Sequence, residues 1–136
     1  LLEEFREVKT IINTINATVA DVASGEEILL HGTGAIVERL HGLDFRITPS
    51  TFFQTNTVQA ERLFGVIRDM IDPQQDALLF DLYAGVGSVG LFLSRWFRRV
   101  ICFENSPQSV QLARENARIN GIENVGFHTA DAASAL

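Results

Sequence analysis

The hydrophobic and polar positions of this chain follow two different periods, one before residue 47 and another from about residue 57. The first part contains short apolar runs, among them "VKTIINTIN", "EEILLHG", "GAIVERL" and "LDFRIT", separated by Gly and Asn. Runs this short and closely spaced predict antiparallel strands joined by hairpins rather than by crossover helices. We therefore expect residues 1–47 to form a small β-rich segment, distinct from residues 48–136.

A helical period begins at residue 57. The segment "TVQAERLFGVIRDMID" has apolar residues three and four positions apart, and Pro73 closes the pattern. We predict one helix here. Its buried stripe is predicted to consist of Val58, Leu63, Val66, Ile67 and Met70.

The rest of the chain alternates between strand and helix patterns. "ALLFDLY", "RRVICFE" and "NVGFHTAD" indicate strands, and "SVGLFLSRWF" and "SPQSVQLARENARINGI" indicate the helices between them. Ser106 suits an N-cap, Pro107 the first helical position and Gly121 a C-cap. This alternation predicts an α/β fold with a parallel sheet and right-handed crossovers.

Composition narrows the class of protein. A hydrophobic content of 46% with ten Phe allows a sizeable core, and the apolar runs are too short to cross a bilayer. The single cysteine, Cys102, excludes an internal disulfide and a multi-cysteine metal site. The net charge of −6 argues against strong non-specific binding of nucleic acid by this segment alone. A cytoplasmic protein without a metal site is the simplest interpretation.

A glycine-rich segment follows the first strand of the α/β part. Residues 85–90, "GVGSVG", spell G-x-G-x-x-G, in which Gly85 and Gly87 let a ligand approach the backbone. The carboxylate of Asp81 precedes this loop and would repel a pyrophosphate but attract the cationic groups of S-adenosylmethionine. At about 4 Å such a pair is worth about 4 kcal/mol at an effective dielectric constant of about 20. Asp81 could also accept backbone N–H groups of the loop.

Two further acidic residues end the next two strands. Glu104 suits ribose hydroxyls in sites for NAD and S-adenosylmethionine alike. Asp131 is placed to contact an adenine amino group, or is a loop aspartate without a ligand. Acidic residues at the ends of three consecutive strands favour S-adenosylmethionine as the cofactor.

Three segments carry a resemblance to a known family. These are "GLDFRITPSTFFQTNTVQAERLF", "FDLYAGVGSVGLFL" and "ENSPQSVQLARENARINGIENVGFHTAD". They resemble the RNA uracil-5-methyltransferases, which use S-adenosylmethionine to make 5-methyluridine in bacterial ribosomal RNA or tRNA. The resemblance covers residues 8–134. It implies part of a Rossmann-like methyltransferase fold, preceded by a β-rich segment of a central domain, and we favour 23S ribosomal RNA over tRNA as substrate.

The resemblance also implies roles for individual residues. Gln54 would contact the methionine end of the cofactor with Phe52 or Phe53 beside it, although Gln54 could instead cap the following helix. Tyr83 would contact the cofactor through its backbone and ring. Ser88 stands where many members have Asn or Thr. The residue pattern and the resemblance together give the expected cofactor-binding residues, of which Gln54, Tyr83 and Ser88 rest on the resemblance alone. They are Gln54, Asp81, Tyr83, Gly85, Gly87, Ser88, Glu104 and Asp131.

No catalytic residue is predicted within this chain. The family uses a Cys thiolate, which adds to C6 of uracil, and a general base. Both are expected C-terminal to residue 136. Cys102 is predicted to be a buried strand residue instead. An RNA-binding module and, in some members, an iron–sulfur motif are likewise expected elsewhere. We expect an RNA-modifying enzyme as the parent protein, and an inactive fragment that self-associates through an exposed sheet edge.

Three other functions are compatible with parts of the pattern. The literal G-x-G-x-x-G also fits an NAD-dependent oxidoreductase, which Asp81 and the "FFQTN" segment disfavour. A methyltransferase acting on another substrate would share the same cofactor residues. A binding or scaffold module could keep this fold without chemistry.

Overall fold

A computed structural model describes residues 4–16 and 25–131. In chain order its elements are strands β1 Ile11–Ile15, β2 Glu26–His31, β3 Ile36–Leu40 and β4 Leu43–Ile47, helix α1 Thr57–Ile71, strand β5 Leu78–Leu82, helix α2 Ser88–Leu93 with a 3₁₀ turn Ser94–Trp96, strand β6 Arg99–Glu104, helix α3 Pro107–Ile119 and strand β7 Val125–Thr129. The strands and helices predicted over the described residues are all present, within a few residues at their ends.

The strands of the described residues form three sheets. β1 pairs with β2, and β3 pairs with β4, both antiparallel, as the short apolar runs predict. β5, β6 and β7 form a parallel sheet in that order, with helical crossovers between the strands. The predicted α/β fold with a parallel sheet is therefore confirmed. The carboxyl ends of its three strands lie side by side, where ligands bind in such sheets.

Helix α3 begins and ends with the expected chemistry. The Ser106 hydroxyl oxygen accepts the Ser109 N–H at 3.2 Å, and Pro107 occupies the first turn. At the other end Asn120 is the cap residue, and Gly121 follows it with φ of 64°. Gly121 therefore lies one position beyond its predicted place, in the left-handed conformation that commonly ends helices.

The buried face of α1 differs from the predicted stripe. Ala60 and Phe64 are 3% and 2% exposed, whereas Met70 is 80% exposed. Val58, Leu63 and Val66 are exposed as well, and Ile67 alone of the predicted stripe packs on the core. The prediction was wrong because apolar residues occupy more of this helix than its neighbours cover. The helix packs on β3 and α2 through the arc that contains Ala60 and Phe64.

The β3–β4 hairpin shares a hydrophobic core with the helices and the parallel sheet. Leu40 and Phe45 are 1% and 0% exposed and belong to the same cluster as Phe64. His41 and Gly42 form the two-residue turn, with φ of 50° and 79°. Positive φ at both positions is characteristic of the tight type I′ turn. The core thus extends across residue 47, and the division of the chain there stays a prediction.

Candidate functional site

The loop between β5 and α2 has an unusual backbone. Tyr83, Gly85 and Gly87 have φ of 64°, 56° and 83°. For glycine this conformation is unstrained, but for Tyr83 it is uncommon and costs energy. The Ala84 N–H donates to the Phe103 carbonyl at 3.0 Å, which continues the parallel pairing into the loop. The loop is therefore fixed against β6, and Tyr83 is 72% exposed.

The glycines of the loop serve different purposes. A Cβ on Gly85 would meet only open space out to the Phe52 carbonyl oxygen at 4.0 Å, so a ligand can approach the backbone there. A Cβ on Gly87 would lie 2.9 Å from the Phe127 ring. Gly87 is thus needed for packing α2 onto the sheet and α3, and Gly85 is the better candidate for ligand contact.

Glu104 is held rigidly at the end of β6. Its Oε2 accepts the Gly85 N–H at 3.0 Å and its Oε1 accepts the Ser106 N–H at 2.8 Å. Each carboxylate oxygen has a second lone pair. The half-buried carboxylate can therefore accept two hydroxyl groups of a ligand beside the glycine loop, which fits the predicted contact with a ribose.

Asp81 lies beneath the loop rather than at its surface. Its Oδ2 is buried and has no hydrogen-bond partner among the described residues. Burial is the largest influence on the pKa of Asp81, a hydrogen bond with the Gly90 backbone lowers it in part, and the negative charge of Glu104 adds a smaller rise. Together they raise the pKa to about 6. A further negative group, such as a pyrophosphate, would be repelled by the carboxylates of Asp81 and Glu104, whereas a cation would be attracted.

In the segment before α1, one residue of the aromatic pair Phe52–Phe53 is buried and the other is exposed. Asn56, not Gln54, caps α1, because the Asn56 Oδ1 accepts the Gln59 N–H at 3.1 Å. Phe53 is 9% exposed and belongs to the core, whereas Phe52 is 76% exposed. The Gln54 side chain is therefore not used as the helix cap, and Phe52 rather than Phe53 has a ring free to contact a ligand.

A cleft of about 390 Å³ lies between this segment and the hairpins. It is lined by residues between 10 and 57, and these are Thr10, Gly34, Ala35, Ile36, Glu38, Ile47, Thr48, Pro49, Thr51, Phe53, Gln54, Thr55 and Thr57. The structure places Gln54 in this cleft, while Glu104 and Asp81 gather at the glycine loop. The two groups approach each other where the Phe52 carbonyl faces Gly85.

The remaining predicted site residues lie at the edges of the loop. Ser88 is the first residue of α2 and is half-buried. Asp131 is exposed and follows β7, where the Ala130 N–H donates to the Glu104 carbonyl oxygen at 3.0 Å. This hydrogen bond brings the end of β7 beside the end of β6, so Asp131 lies on the same edge of the sheet as Glu104.

Cys102 is unsuited to chemistry. It is 1% exposed, and burial together with the Asp81 charge raises the pKa of its thiol. The prediction of a buried strand cysteine is confirmed. Within the described residues no cluster of His, Cys, Asp and Glu could hold a metal ion. No helix in the same part of the chain is long and apolar enough to cross a membrane.

Asn116 of α3 and its cap residue Asn120 hold the hairpin, and neither was singled out from the sequence. The Asn116 amide accepts the Arg46 N–H at 2.8 Å and donates to the Arg46 carbonyl at 3.2 Å. Asn120, one turn later, does the same with Asp44 at 2.8 and 2.7 Å. Together they occupy the backbone groups of β4 as a neighbouring strand would. Two amides four residues apart on an otherwise apolar helix face were the available signal.

Known proteins resemble this chain over most of its length. Residues 7–134 match the family model described as tRNA (Uracil-5-)-methyltransferase. An uncharacterised RNA methyltransferase of Clostridium tetani is 39% identical over 127 residues, which is 93% of this chain and 28% of that protein. Another, from Porphyromonas gingivalis, is 36% identical over 130 residues, covering 95% of this chain and 28% of the relative.

A solved structure is similar over most of the chain. Pyrococcus abyssi tRNA (uracil-54, C5)-methyltransferase, in complex with S-adenosyl-L-homocysteine, superposes with a TM-score of 0.78 at 29% identity. The match covers 96% of this chain and 32% of that one. The chain thus spans less than a third of these proteins. With a matching family model over residues 7–134, it belongs to the tRNA (uracil-5-)-methyltransferase family.

Proposed function

We propose that this chain forms the S-adenosylmethionine-binding part of an enzyme that methylates C5 of a uridine in RNA. The observation that carries the proposal is the Glu104 carboxylate, fixed by the Gly85 and Ser106 N–H groups beside an open glycine. The residues proposed to bind the cofactor are Gln54, Asp81, Tyr83, Gly85, Gly87, Ser88, Glu104 and Asp131.

The donor set fits this cofactor better than a dinucleotide. Glu104 offers acceptors to ribose hydroxyls, and Asp131 stands at the neighbouring strand end for the base. The buried Asp81 carboxylate favours a positive over a negative ligand group. NAD brings a pyrophosphate to this loop, so the two acidic groups oppose it. The Pyrococcus abyssi relative was solved with S-adenosyl-L-homocysteine, which supports the same assignment.

The chain's own residues would bind and orient the cofactor. S-adenosylmethionine supplies an electrophilic methyl group on a sulfonium. Glu104 would hold the nucleoside end, the exposed Phe52 and Tyr83 rings would exclude water, and Gln54 would reach the methionine end from its cleft. Because Cys102 is buried, it does not provide the thiolate that attack on uracil requires.

Calorimetric titration tests the cofactor proposal. The chain is titrated with S-adenosylmethionine, S-adenosylhomocysteine and NAD, and so are the variants Glu104→Gln and Glu123→Gln. We expect saturable binding of the first two ligands and none of NAD. Glu104→Gln should weaken binding by a factor of about 10 to 100, because hydrogen bonds to a charged acceptor are lost. The control residue Glu123 is exposed and lies in the loop before β7, away from the strand ends.

Three results would overturn the proposal, and the first is the absence of saturable binding of S-adenosylhomocysteine by the wild-type chain. Binding of NAD in preference to S-adenosylhomocysteine would show that the acidic loop does not select against a pyrophosphate. An equal loss of affinity in the Glu104 and Glu123 variants would show that the fixed carboxylate has no specific role.

The parent protein and its substrate are part of the same proposal. Since the chain spans 28% of its curated relatives, we propose that it is the β-rich segment 1–47 and the cofactor-binding segment 48–136 of a longer cytoplasmic enzyme. We propose ribosomal RNA, specifically 23S, as its substrate rather than tRNA, on the resemblance of the sequence. Methyl transfer by the longer enzyme from labelled cofactor to each purified RNA tests this, and labelling of tRNA alone would refute it.

Self-association of the chain is a separate proposal. Within the described residues β5 pairs only with β6, so its other edge offers free backbone groups to a second copy. Leu78 and Phe80 are 44% and 51% exposed on the strand. Sedimentation over a concentration series should show dimers that Phe80→Ser weakens and that Val37→Ser, at an exposed position of β3, does not. A single monomeric species at all concentrations would contradict the proposal.

A further inference from the structure

Asn116 is a buried polar residue that joins three segments of the chain. Its side chain is 0% exposed, although it lies on α3 among apolar neighbours. Besides its two hydrogen bonds with the Arg46 backbone, its Nδ2 donates to the Val86 carbonyl at 3.2 Å. Val86 stands between Gly85 and Gly87 in the glycine loop. A buried amide with all these partners satisfied ties the elements it contacts into one arrangement.

The glycine loop needs such a tie. Glycine has more conformational freedom to lose on folding than any other residue, and Gly85 and Gly87 both have positive φ. Glu104 fixes the loop from the side that faces the strand ends, through the Gly85 N–H. Asn116 fixes it from α3, through the carbonyl of the next residue, Val86. Besides the backbone hydrogen bond from Ala84 to Phe103, the loop is therefore held by two side chains on different elements.

Asn116 also relates the loop to the cleft. Arg46, whose backbone it binds, lies in β4, and the chain runs directly from β4 into the segment that carries Gln54. The Asn116 amide thus connects the two parts of the proposed site, the glycine loop and the segment that carries Gln54. Displacement of that amide would change the distance between the glycine loop and the Gln54 segment.

We propose that Asn116 is a positioning residue for cofactor binding, which holds the glycine loop at a fixed distance from β4. This inference rests on the proposed function, because it assumes that the loop binds the cofactor. Asn116 is fully buried and would act through the loop rather than by contacting a ligand. Its role is to keep Gly85 and Gly87 in the conformation that a ligand requires.

Asn120 provides a matched control on the same helix. It binds the backbone of Asp44 in β4 with the same pair of hydrogen bonds, but its further donation goes to the Asn116 carbonyl at 2.8 Å. Loss of either side chain therefore removes two hydrogen bonds to the β4 backbone. Loss of Asn116 alone also releases Val86.

The test compares Asn116→Ala with Asn120→Ala by two measurements. Amide hydrogen exchange at Gly85 and Gly87 reports the order of the loop without a ligand. Calorimetry with S-adenosylhomocysteine reports affinity. We expect Asn116→Ala to raise loop exchange at least tenfold beyond its effect on the rest of the chain and to weaken binding about tenfold. Asn120→Ala should change loop exchange and affinity less than twofold while it loosens Asp44.

The outcomes separate the two proposals. Equal loop exchange in the two variants overturns the positioning role, whatever the affinity. Selective loop exchange in Asn116→Ala, with no binding by the wild-type chain, supports the positioning of the loop and refutes the proposed function instead. If Asn116→Ala does not fold, Asn116→Ser and Asn120→Ser give the same comparison with smaller disturbance, and the same criteria apply.

Discussion

The buried Asp81 carboxylate should make the stability of this chain depend on pH in an unusual direction. Most acidic residues stabilise a fold when charged, but burial raises the pKa of Asp81 from 3.8 to about 6. The folded chain therefore binds this proton more tightly than the unfolded chain does. Its contribution to stability is complete below about pH 4 and is lost as the pH rises through 6.

The magnitude follows from the interval between the two pKa values. At 1.36 kcal/mol per pH unit, the rise from 3.8 to about 6 corresponds to about 3 kcal/mol. Asp81→Asn keeps the shape of the side chain and cannot ionise. The unfolding free energy of the variant should therefore gain about 3 kcal/mol relative to the wild type between pH 4 and pH 7.

Urea unfolding at a series of pH values measures this difference. Subtracting variant from wild type at each pH removes the titration of groups common to both. Asp69→Asn is the control, because the Asp69 side chain is 68% exposed in a surface ion pair with Arg68. The unfolding free energy of Asp69→Asn should stay within about 1 kcal/mol of the wild-type value at all pH values. If the difference in unfolding free energy between Asp81→Asn and the wild type did not change with pH, it would refute the idea that burial under the loop destabilises the Asp81 carboxylate.

Three simpler substitutions test the packing described above. Gly87→Ala should lose about 3 kcal/mol in urea unfolding, since it combines positive φ with a clash against Phe127, whereas Gly121→Ala, with φ of 64° and open space, should lose about 1 kcal/mol. Equal losses would contradict the assigned roles. Asn56→Ala should lose about 1 kcal/mol as the α1 cap, measured by thermal unfolding, and no loss would show that the cap is dispensable.

The regular elements could be predicted because their signals are local. Alternating apolar runs, the Ser106–Pro107 start of α3 and the Gly121 stop all act within a few residues of the chain. The acidic residues at the strand ends could be predicted for a similar reason, since a parallel sheet brings those ends together. Pattern and topology were enough to identify Glu104 as a candidate before its hydrogen bonds were known.

The features that escaped prediction depend on contacts distant in sequence. The buried arc of α1 is chosen by β3 and α2, so the wide apolar surface of the helix could not reveal that Met70 is exposed. Asn116 binds residues 70 and 30 positions away, which no local pattern encodes. Likewise, burial of Asp81 beneath Gly90 depends on how closely α2 approaches the sheet.

The hydrogen bonds between Asn120 and β4 affect how readily Asn120 deamidates. Asn120 precedes Gly121, and an Asn–Gly pair is prone to deamidation because the glycine nitrogen can attack the side-chain amide. Here that amide is held by Asp44 and Asn116, and the Gly121 N–H donates to the Arg118 carbonyl at 3.1 Å. The folded chain thereby keeps both reacting groups engaged. When the β3–β4 hairpin detaches from α3, the Asn120–Gly121 pair is released and can deamidate. The carboxylate that deamidation leaves at residue 120 would face the Asp44 and Asn116 carbonyl oxygens, and this repulsion would hinder rebinding of the hairpin.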